Sequence, residues 1–424
     1  MTRLTRRQFG LFTGASAFTL TLPTYLRAQG KPRVVVIGGG AGGATAARYI
    51  AKDSDGAIDV TLIDQSEMFT TCFFSNLYVG GYRTLDSITH SYDTLQASYG
   101  IGKVTGYATG VDRAAKTVKM ADGSSVPYDR LVVAPGIDFI WDSVEGYSED
   151  LSEVAPHAWK AGRQTELLKA GLDAIENGQQ VLMVPPPNPY RCPPGPYERA
   201  SMMAHVLKAK GLTDSKVIIL DPKEKFSKQG VFQEGWEKHY PGRIEWYGAA
   251  VHGGISSVDV KAGTVETDLD TFKGAFLNII PAQKAGVIAA SAGLTNDSGF
   301  CPIDPESMRS VIDEAVFVIG DACIAGDMPK SGFSANSQAK VAAMNVRGDL
   351  TGSKVFPARY ANTCWSLIET DDSVKVGAQY APGDGKIAST QGFISQTSED
   401  EVIRKANFEE SVGWYAGITA DMFG

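Results

Sequence analysis

A chain of 424 residues with 43 % hydrophobic and 21 % charged side chains is long enough for two or three cores of its own, which excludes a disordered or fibrous class. Its formal charge of −8 argues against nucleic acid or an anionic membrane as a partner. Five cysteines, Cys72, Cys192, Cys301, Cys323 and Cys364, are odd in number, so at least one is free or bonded to something other than cysteine.

The first residues read as a targeting segment. Thr5-Arg6-Arg7-Gln8-Phe9 precedes a moderately apolar run to Leu22, too short to span a bilayer, and Leu26-Arg27-Ala28 offers a small residue for cleavage. The twin arginine predicts a Tat signal over residues 1–28, export of a folded and cofactor-loaded protein to the periplasm, and no integral membrane segment in the mature chain. Loss of Arg3, Arg6, Arg7 and Arg27 leaves the mature surface still more acidic.

Val34-Val35-Val36-Ile37 is a continuous β-branched run, the pattern of a strand buried on both faces of a parallel sheet. Gly38, Gly40 and Gly43 follow at the G-x-G-x-x-G spacing, which serves a tight turn, close approach of backbone to a pyrophosphate and close helix packing. A second strand from Asp59 to Ile63 ends at Asp64, about twenty residues past the last glycine, where a carboxylate accepts hydrogen bonds from a ribose. Strand, glycines, helix, strand and acid in this order predict dinucleotide binding. Cys72 then lies between aromatics in Met68–Asn76. Taken alone such a cysteine is a buried apolar thiol, but its place after the ribose acid puts it near the ring end of a flavin dinucleotide. Short strands between Val104 and Val118 precede a turn at Ala121-Asp122-Gly123, and Tyr128–Val133 is a strand entering a loop at Ala134-Pro135-Gly136.

A second α/β unit begins near Leu151. It has a helix over Thr165–Glu176 and buried strands at Gln180–Val184 and Lys216–Asp221. In a nicotinamide domain the first of these strands would feed another glycine turn, whereas here it feeds a proline-rich loop, residues 185–196, carrying Cys192. Prolines lack the N–H groups that cradle a pyrophosphate, so no productive NAD(P)H site is expected. Asn278-Ile279-Ile280-Pro281 returns the chain toward the first unit. Ala315–Ile319 is a strand ending in Gly320-Asp321, and a helix around Ser334–Val346 would aim its N-terminus at the flavin ring. A last segment carries Cys364 and Trp414; its tail from Glu399 is charged and mixed, with no long apolar face.

The most specific stretches are Tyr190-Arg191-Cys192-Pro193-Pro194-Gly195-Pro196-Tyr197-Glu198-Arg199-Ala200-Ser201, Val318-Ile319-Gly320-Asp321-Ala322-Cys323-Ile324-Ala325, Met328-Pro329-Lys330-Ser331-Gly332, Ser334-Ala335-Asn336-Ser337-Gln338 and Asn362-Thr363-Cys364. With them the chain resembles, from Lys31 to Gly424, the flavoprotein subunit of flavocytochrome c sulfide dehydrogenase, among the glutathione-reductase-like flavoproteins. Asp64 stands where members can have glutamate, and Phe73 where an aromatic alcohol occurs. The resemblance implies an α/β fold of two Rossmann-like dinucleotide-binding-type domains, an FAD domain (29–148 and 279–356) and a degenerate NAD-like domain (149–278), plus a smaller C-terminal domain (357–424). It implies FAD held by a thioether to Cys72 and contacted at Gly38, Gly40, Gly43, Asp64, Ala134, Gly136, Gly320 and Asp321. It also implies a redox disulfide between Cys192 and Cys364; a structural staple is the other reading, and the rigid proline loop favours the redox role.

The activity so implied is oxidation of hydrogen sulfide to sulfur or polysulfide. Glu198 is the candidate proton acceptor, with a helix-capping acid as its plain alternative. Lys330 is placed to stabilise anionic reduced flavin, and Trp414 lies by the flavin or by a docking face. The chain has no C-x-x-C-H, so a c-type haem would sit on a separate cytochrome subunit or soluble cytochrome c. No metal site is expected, and Cys301 and Cys323 either pair or remain buried thiols. The rivals are a sulfide:quinone oxidoreductase and a non-catalytic sulfur-carrier or cytochrome-binding subunit.

Overall fold

Residues 30–424 are described by the computed structural model, so the expected Tat segment lies outside the described residues. The fold is mixed α/β. The first sheet runs in the order Val316–Val318, Arg130–Val133, Arg33–Ile37, Asp59–Asp64, Gly102–Thr105, with every neighbouring pair parallel. Its apolar runs are continuous because helices cover them: Val34, Val35, Val36, Leu131, Val132, Val133 and Val316–Val318 are all buried. The helices Ala41–Asp53 and Gly332–Thr351 pack on one another, and each buries a run of small residues, Ala44, Ala46 and Ala47 on one and Ala335, Ala339, Ala342 and Ala343 on the other.

Register decides what this sheet can do. Ile37 pairs with Ile63 and with Val133, and Val133 pairs with Val318. Gly38, Asp64, Ala134 and the Gly320-Asp321 turn therefore leave the sheet along one carboxyl edge, although they are separated by up to 283 positions in the chain. That edge is where open parallel sheets bind nucleotides.

The second sheet has the order Ile244–Tyr247, Lys216–Leu220, Gln180–Val184, Phe276–Ile279, again all parallel. Helices Arg163–Asp173, Gly195–Ala209 and Gln229–His239 cover it and share its core. Asn278 and Ile279 belong to this sheet, and the return to the first unit is made just after them, where Ala282–Ala285 pairs antiparallel with Ile137–Ile140. The last sheet is antiparallel, Tyr360–Glu369, Asp372–Gly383 and Lys386–Ile394, and the helix Glu401–Phe423 packs on it and on Ala41–Asp53. The mixed tail is thus one long helix whose inner face, Arg404, Asn407, Ser411, Tyr415, Ile418 and Met422, repeats every three or four residues. Among the described residues no helix is long and apolar enough to cross a membrane, and no group of acidic, histidine and cysteine side chains could hold a metal ion.

Candidate active site

A cavity of about 650 Å³ runs from the glycine turn of the first sheet to the proline loop and the C-terminal sheet. Gly38, Gly40, Asp64, Cys72, Ala134, Gly136, Gly320 and Asp321 all line it. Gly38 has φ +98, and a Cβ there would lie 2.2 Å from the carbonyl oxygen of Ala134, so only glycine makes this turn. A Cβ on Gly43 would fall 1.7 Å from the Gly38 carbonyl oxygen; Gly43 does not line the cavity but lets the helix press against the turn. Gly40 caps the Ala41–Asp53 helix without a side-chain bond, and the first turn has no acid, which leaves its amides open toward the cavity. Asp64 accepts from the Gly39 amide at 2.7 Å and the Ser66 amide at 2.9 Å.

Whether these residues fit an FAD is tested by their unmet polar atoms. Asp321 is buried with Oδ1 lacking any hydrogen-bond partner, as a carboxylate awaiting a ligand hydroxyl would be. Together with the glycine cradle and the free helix amides, it fits the dinucleotide. Cys72 lies further along the same cavity, its thiol donating to the Trp159 carbonyl at 3.1 Å. Arg191 donates to that carbonyl at 2.8 Å and sets Nε 3.4 Å from Asp321, so a cation that the sequence did not single out lies between the two.

At the far end the cavity meets Cys192, Cys364 and Glu198. Cys192 stands at φ +58 in the proline loop, its amide held by the Lys330 carbonyl at 2.8 Å. Helix Gly195–Ala209 starts three residues on, and a Cβ at Gly195 would come within 3.0 Å of the Cys192 sulfur. Cys364 arrives on the first strand of the antiparallel sheet. All five cysteines are free thiols, so the bridge implied by the resemblance is not formed in this structure, although both sulfurs face the same space. Burial pushes the Cys192 thiol well above its ordinary range, with the nearby Cys364 adding to the shift. Cys364 is also raised by burial, against the pull of Asn362 and Lys228. Glu198 accepts from Asn76 Nδ2 at 2.8 Å and from the Leu367 amide at 2.9 Å, and burial raises its carboxyl.

One expectation changes on contact with the structure, and one open alternative is decided. Lys330 does not line the cavity: its ammonium donates to the carbonyls of Asp321 and Cys323, both at 2.8 Å, and lies over the Phe300 ring. It braces the turn that presents Asp321, and its carbonyl braces Cys192, so it does not face a flavin. Cys301 and Cys323 are register partners on adjacent short strands yet remain buried thiols, the burial pushing each up to about 12. Trp414 does line the cavity, in an aromatic cluster with Phe73, Phe333 and Trp365 at its C-terminal wall.

In the second sheet, Asp221 follows the strand Lys216–Leu220 at the place of a ribose-binding acid. It is fully buried and already engaged: Tyr197 donates at 2.6 Å, Trp246 at 3.0 Å, and Lys223 pairs with it at 2.7 Å. Sequence reasoning missed Arg199, which is buried on the Gly195–Ala209 helix, donates to the carbonyls of His157 and Ala158, and covers Trp159. It missed Lys228 as well, because the lysine-rich segment around it reads as a solvated loop.

Three family profiles match in succession. Residues 32–169 match the pyridine nucleotide-disulphide oxidoreductases, residues 165–281 the central part of the sulfide dehydrogenase (flavocytochrome c) flavoprotein chain, and residues 356–423 the flavin-binding part of flavocytochrome c sulphide dehydrogenase. The sulfide dehydrogenase flavoprotein chain of Chlorobaculum thiosulfatiphilum is 53 % identical over 47 residues, 11 % of this chain and 96 % of that one. A sulfide-quinone reductase of Aquifex aeolicus is 24 % identical over 413 residues, 90 % of each chain. The solved sulfide:quinone oxidoreductase of Aquifex aeolicus superposes with a TM-score of 0.72 at 17 % identity over 92 % of each chain, a likeness of fold. The chain belongs to the sulfide dehydrogenase (flavocytochrome c) flavoprotein-chain family, sulfide-oxidising flavoproteins of the FAD-dependent pyridine nucleotide-disulphide oxidoreductase fold.

Proposed function

We propose that this chain is the catalytic flavoprotein of a periplasmic sulfide dehydrogenase, exported by the Tat pathway, which oxidises hydrogen sulfide to sulfur or polysulfide and passes the electrons to a c-type cytochrome. One observation carries the reading: Cys192, in the loop after a strand of the second sheet, and Cys364, on the antiparallel sheet, line with the buried carboxyl of Glu198 the same cavity as the glycine turn and Asp321. Hydrosulfide is a soft anion that opens disulfides by exchange. Attack on a Cys192–Cys364 bridge leaves one sulfur as a persulfide and the other as a thiolate, and Glu198 takes the persulfide proton. FAD, bound through Cys72, supplies the two-electron acceptor. The chain's own residues bind it at the sheet edge, exclude water around the sulfurs and hold the cysteines in place.

A quinone acceptor is the second reading, favoured by the Aquifex relative that spans 90 % of both chains. Anaerobic sulfide should bleach the flavin, and cytochrome c should restore it faster than a short-chain quinone does. The reverse order of acceptors would move the protein to the quinone class, and a flavin that sulfide leaves untouched would reduce FAD to a structural group.

A further inference from the structure

Lys228 precedes the Gln229–His239 helix at φ +64 and is buried, 4 % exposed. Its ammonium donates to the Cys364 carbonyl at 3.2 Å, to Ser366 Oγ at 2.9 Å and to the Val374 carbonyl at 3.2 Å. These acceptors use all three of its N–H bonds and clamp two strands of the antiparallel sheet at the residue that bears the sulfur. Among the described residues no carboxylate accepts from it. Burial lowers the ammonium to about 8, with Arg404 adding to the shift and Cys364, Glu198 and Cys192 pulling against it. A buried ammonium without a bonded counter-ion is costly unless an anion forms close by.

A second donor is aimed at the same sulfur. Ser331 caps the Gly332–Thr351 helix by accepting from the Ser334 amide at 3.0 Å, and its hydroxyl donates to Asn362 Oδ1 at 2.6 Å. Asn362 Nδ2 lies 3.5 Å from Cys364 Sγ, and its Oδ1, 3.9 Å from the same sulfur, accepts from the thiol while the thiol is protonated. Burial raises both thiols, Glu198 adds to the rise and Lys228 lowers both, but Lys228 is hydrogen-bonded to the Cys364 residue itself, and no hydrogen-bond donor among the described residues reaches the Cys192 sulfur. Neither Lys228 nor Asn362 lines the cavity, so both act through Cys364.

We propose that Lys228, with Asn362, is a positioning residue that makes Cys364 the thiolate of the pair, so that sulfur from hydrosulfide is bonded to Cys192. The inference rests on the exchange reading given above. Hydrosulfide forms a bond to Cys192 Sγ, the Cys192–Cys364 bond breaks, and its electron pair stays on Cys364 Sγ beside the ammonium. Cys192 is left as a persulfide whose proton passes to Glu198, and the step involves no external oxidant. The thiol that ionises more readily is the better leaving group.

The test is alkylation of the chemically reduced holoprotein with iodoacetamide across a pH series, read on separate peptides. Cys364 should ionise at lower pH than Cys192. Lys228→Met should shift Cys364 upward and slow its alkylation at neutral pH about tenfold, the equivalent of one pH unit, while moving Cys192 much less. Should Lys228→Met fail to fold, Asn362→Leu, which removes the amide donor together with the Oδ1 acceptor of Ser331, should move Cys364 in the same direction. Cys192 ionising first, or a Cys364 titration unchanged in a folded variant, would overturn the proposal. When the oxidised holoprotein, with the Cys192–Cys364 bridge formed, is given one equivalent of sulfide, an added sulfur on the Cys192 peptide supports the proposal and one on the Cys364 peptide overturns it. Added sulfur on neither would sink the exchange reading itself, and the thiol titration would then decide Lys228 alone.

Discussion

The amide of Cys192 donates to the carbonyl of Lys330 at 2.8 Å, which ties the proline loop of the second sheet to the segment that enters the flavin-side helix of the first. Cys192 therefore does not depend on its own domain for its position. Replacing it with serine leaves this bond, the glycine turn and Asp321 in place, so flavin content should be near normal. Reduction of the flavin by sulfide should slow by orders of magnitude, because a covalent step is removed, while dithionite should reduce it at a similar rate. A folded Cys192→Ser protein with undiminished sulfide kinetics, but less stable by roughly 2 to 5 kcal/mol, would instead mark the bridge as a staple.

Cys72 and Asp64 line the same cavity, and the Cys72 thiol donates to the Trp159 carbonyl. If it anchors the flavin, yellow colour and fluorescence should stay with the chain on a denaturing gel, and Cys72→Ala should bind FAD only noncovalently. Release of all flavin from the unmodified protein by acid would rule the thioether out.

Asp221 is enclosed by Tyr197, Trp246 and Lys223, and the loop before helix Gly195–Ala209 is rich in proline. Neither the ribose nor the pyrophosphate of a nicotinamide cofactor finds its usual partners there. NADH and NADPH in large excess should reduce the flavin negligibly beside sulfide. Rapid stoichiometric reduction by either would contradict this reading of the loop.

Glu198 is raised above its ordinary 4.5 by burial. The protonated carboxyl is the form that the fold favours, so its contribution to stability is full below about 4.5 and is lost as pH rises through the raised value. As a base it acts in the opposite sense: sulfide-driven reduction should rise with pH along a limb displaced upward from the usual carboxylate range. Glu198→Gln should abolish that limb and flatten the stability slope measured by denaturant at acid and neutral pH. If the limb survives the substitution, another group takes the proton.

Much of the fold was legible in local pattern. Val34–Ile37, the three glycines and Asp64 lie within one strand-helix-strand unit, so their spacing alone predicts a turn at Gly38, although the carbonyl that the turn approaches, that of Ala134, belongs to a strand far along the chain. Cys192 stands out because a proline loop replaces a glycine turn. Lys330 misled for a related reason: a lysine beside a helix start suggests a charge for a ligand, and only the packing shows its ammonium held by the carbonyls of Asp321 and Cys323.

What the sequence by itself determined is the nucleotide-binding fold, the placement of Gly38, Asp64, Ala134 and Gly320 along one carboxyl edge and the proline loop that follows the Gln180–Val184 strand, because each depends on short-range backbone geometry and on the period of apolar residues. What only the tertiary structure decided is the setting of the sulfurs. Lys228 reaches Cys364 across 136 positions, and Glu198 reaches the Leu367 amide across 169. Neither separation leaves a periodic or spacing signal. A charged side chain in a hydrophilic stretch reads as solvated until the sheet that buries it has been placed, and burial is what gives such a charge its chemistry.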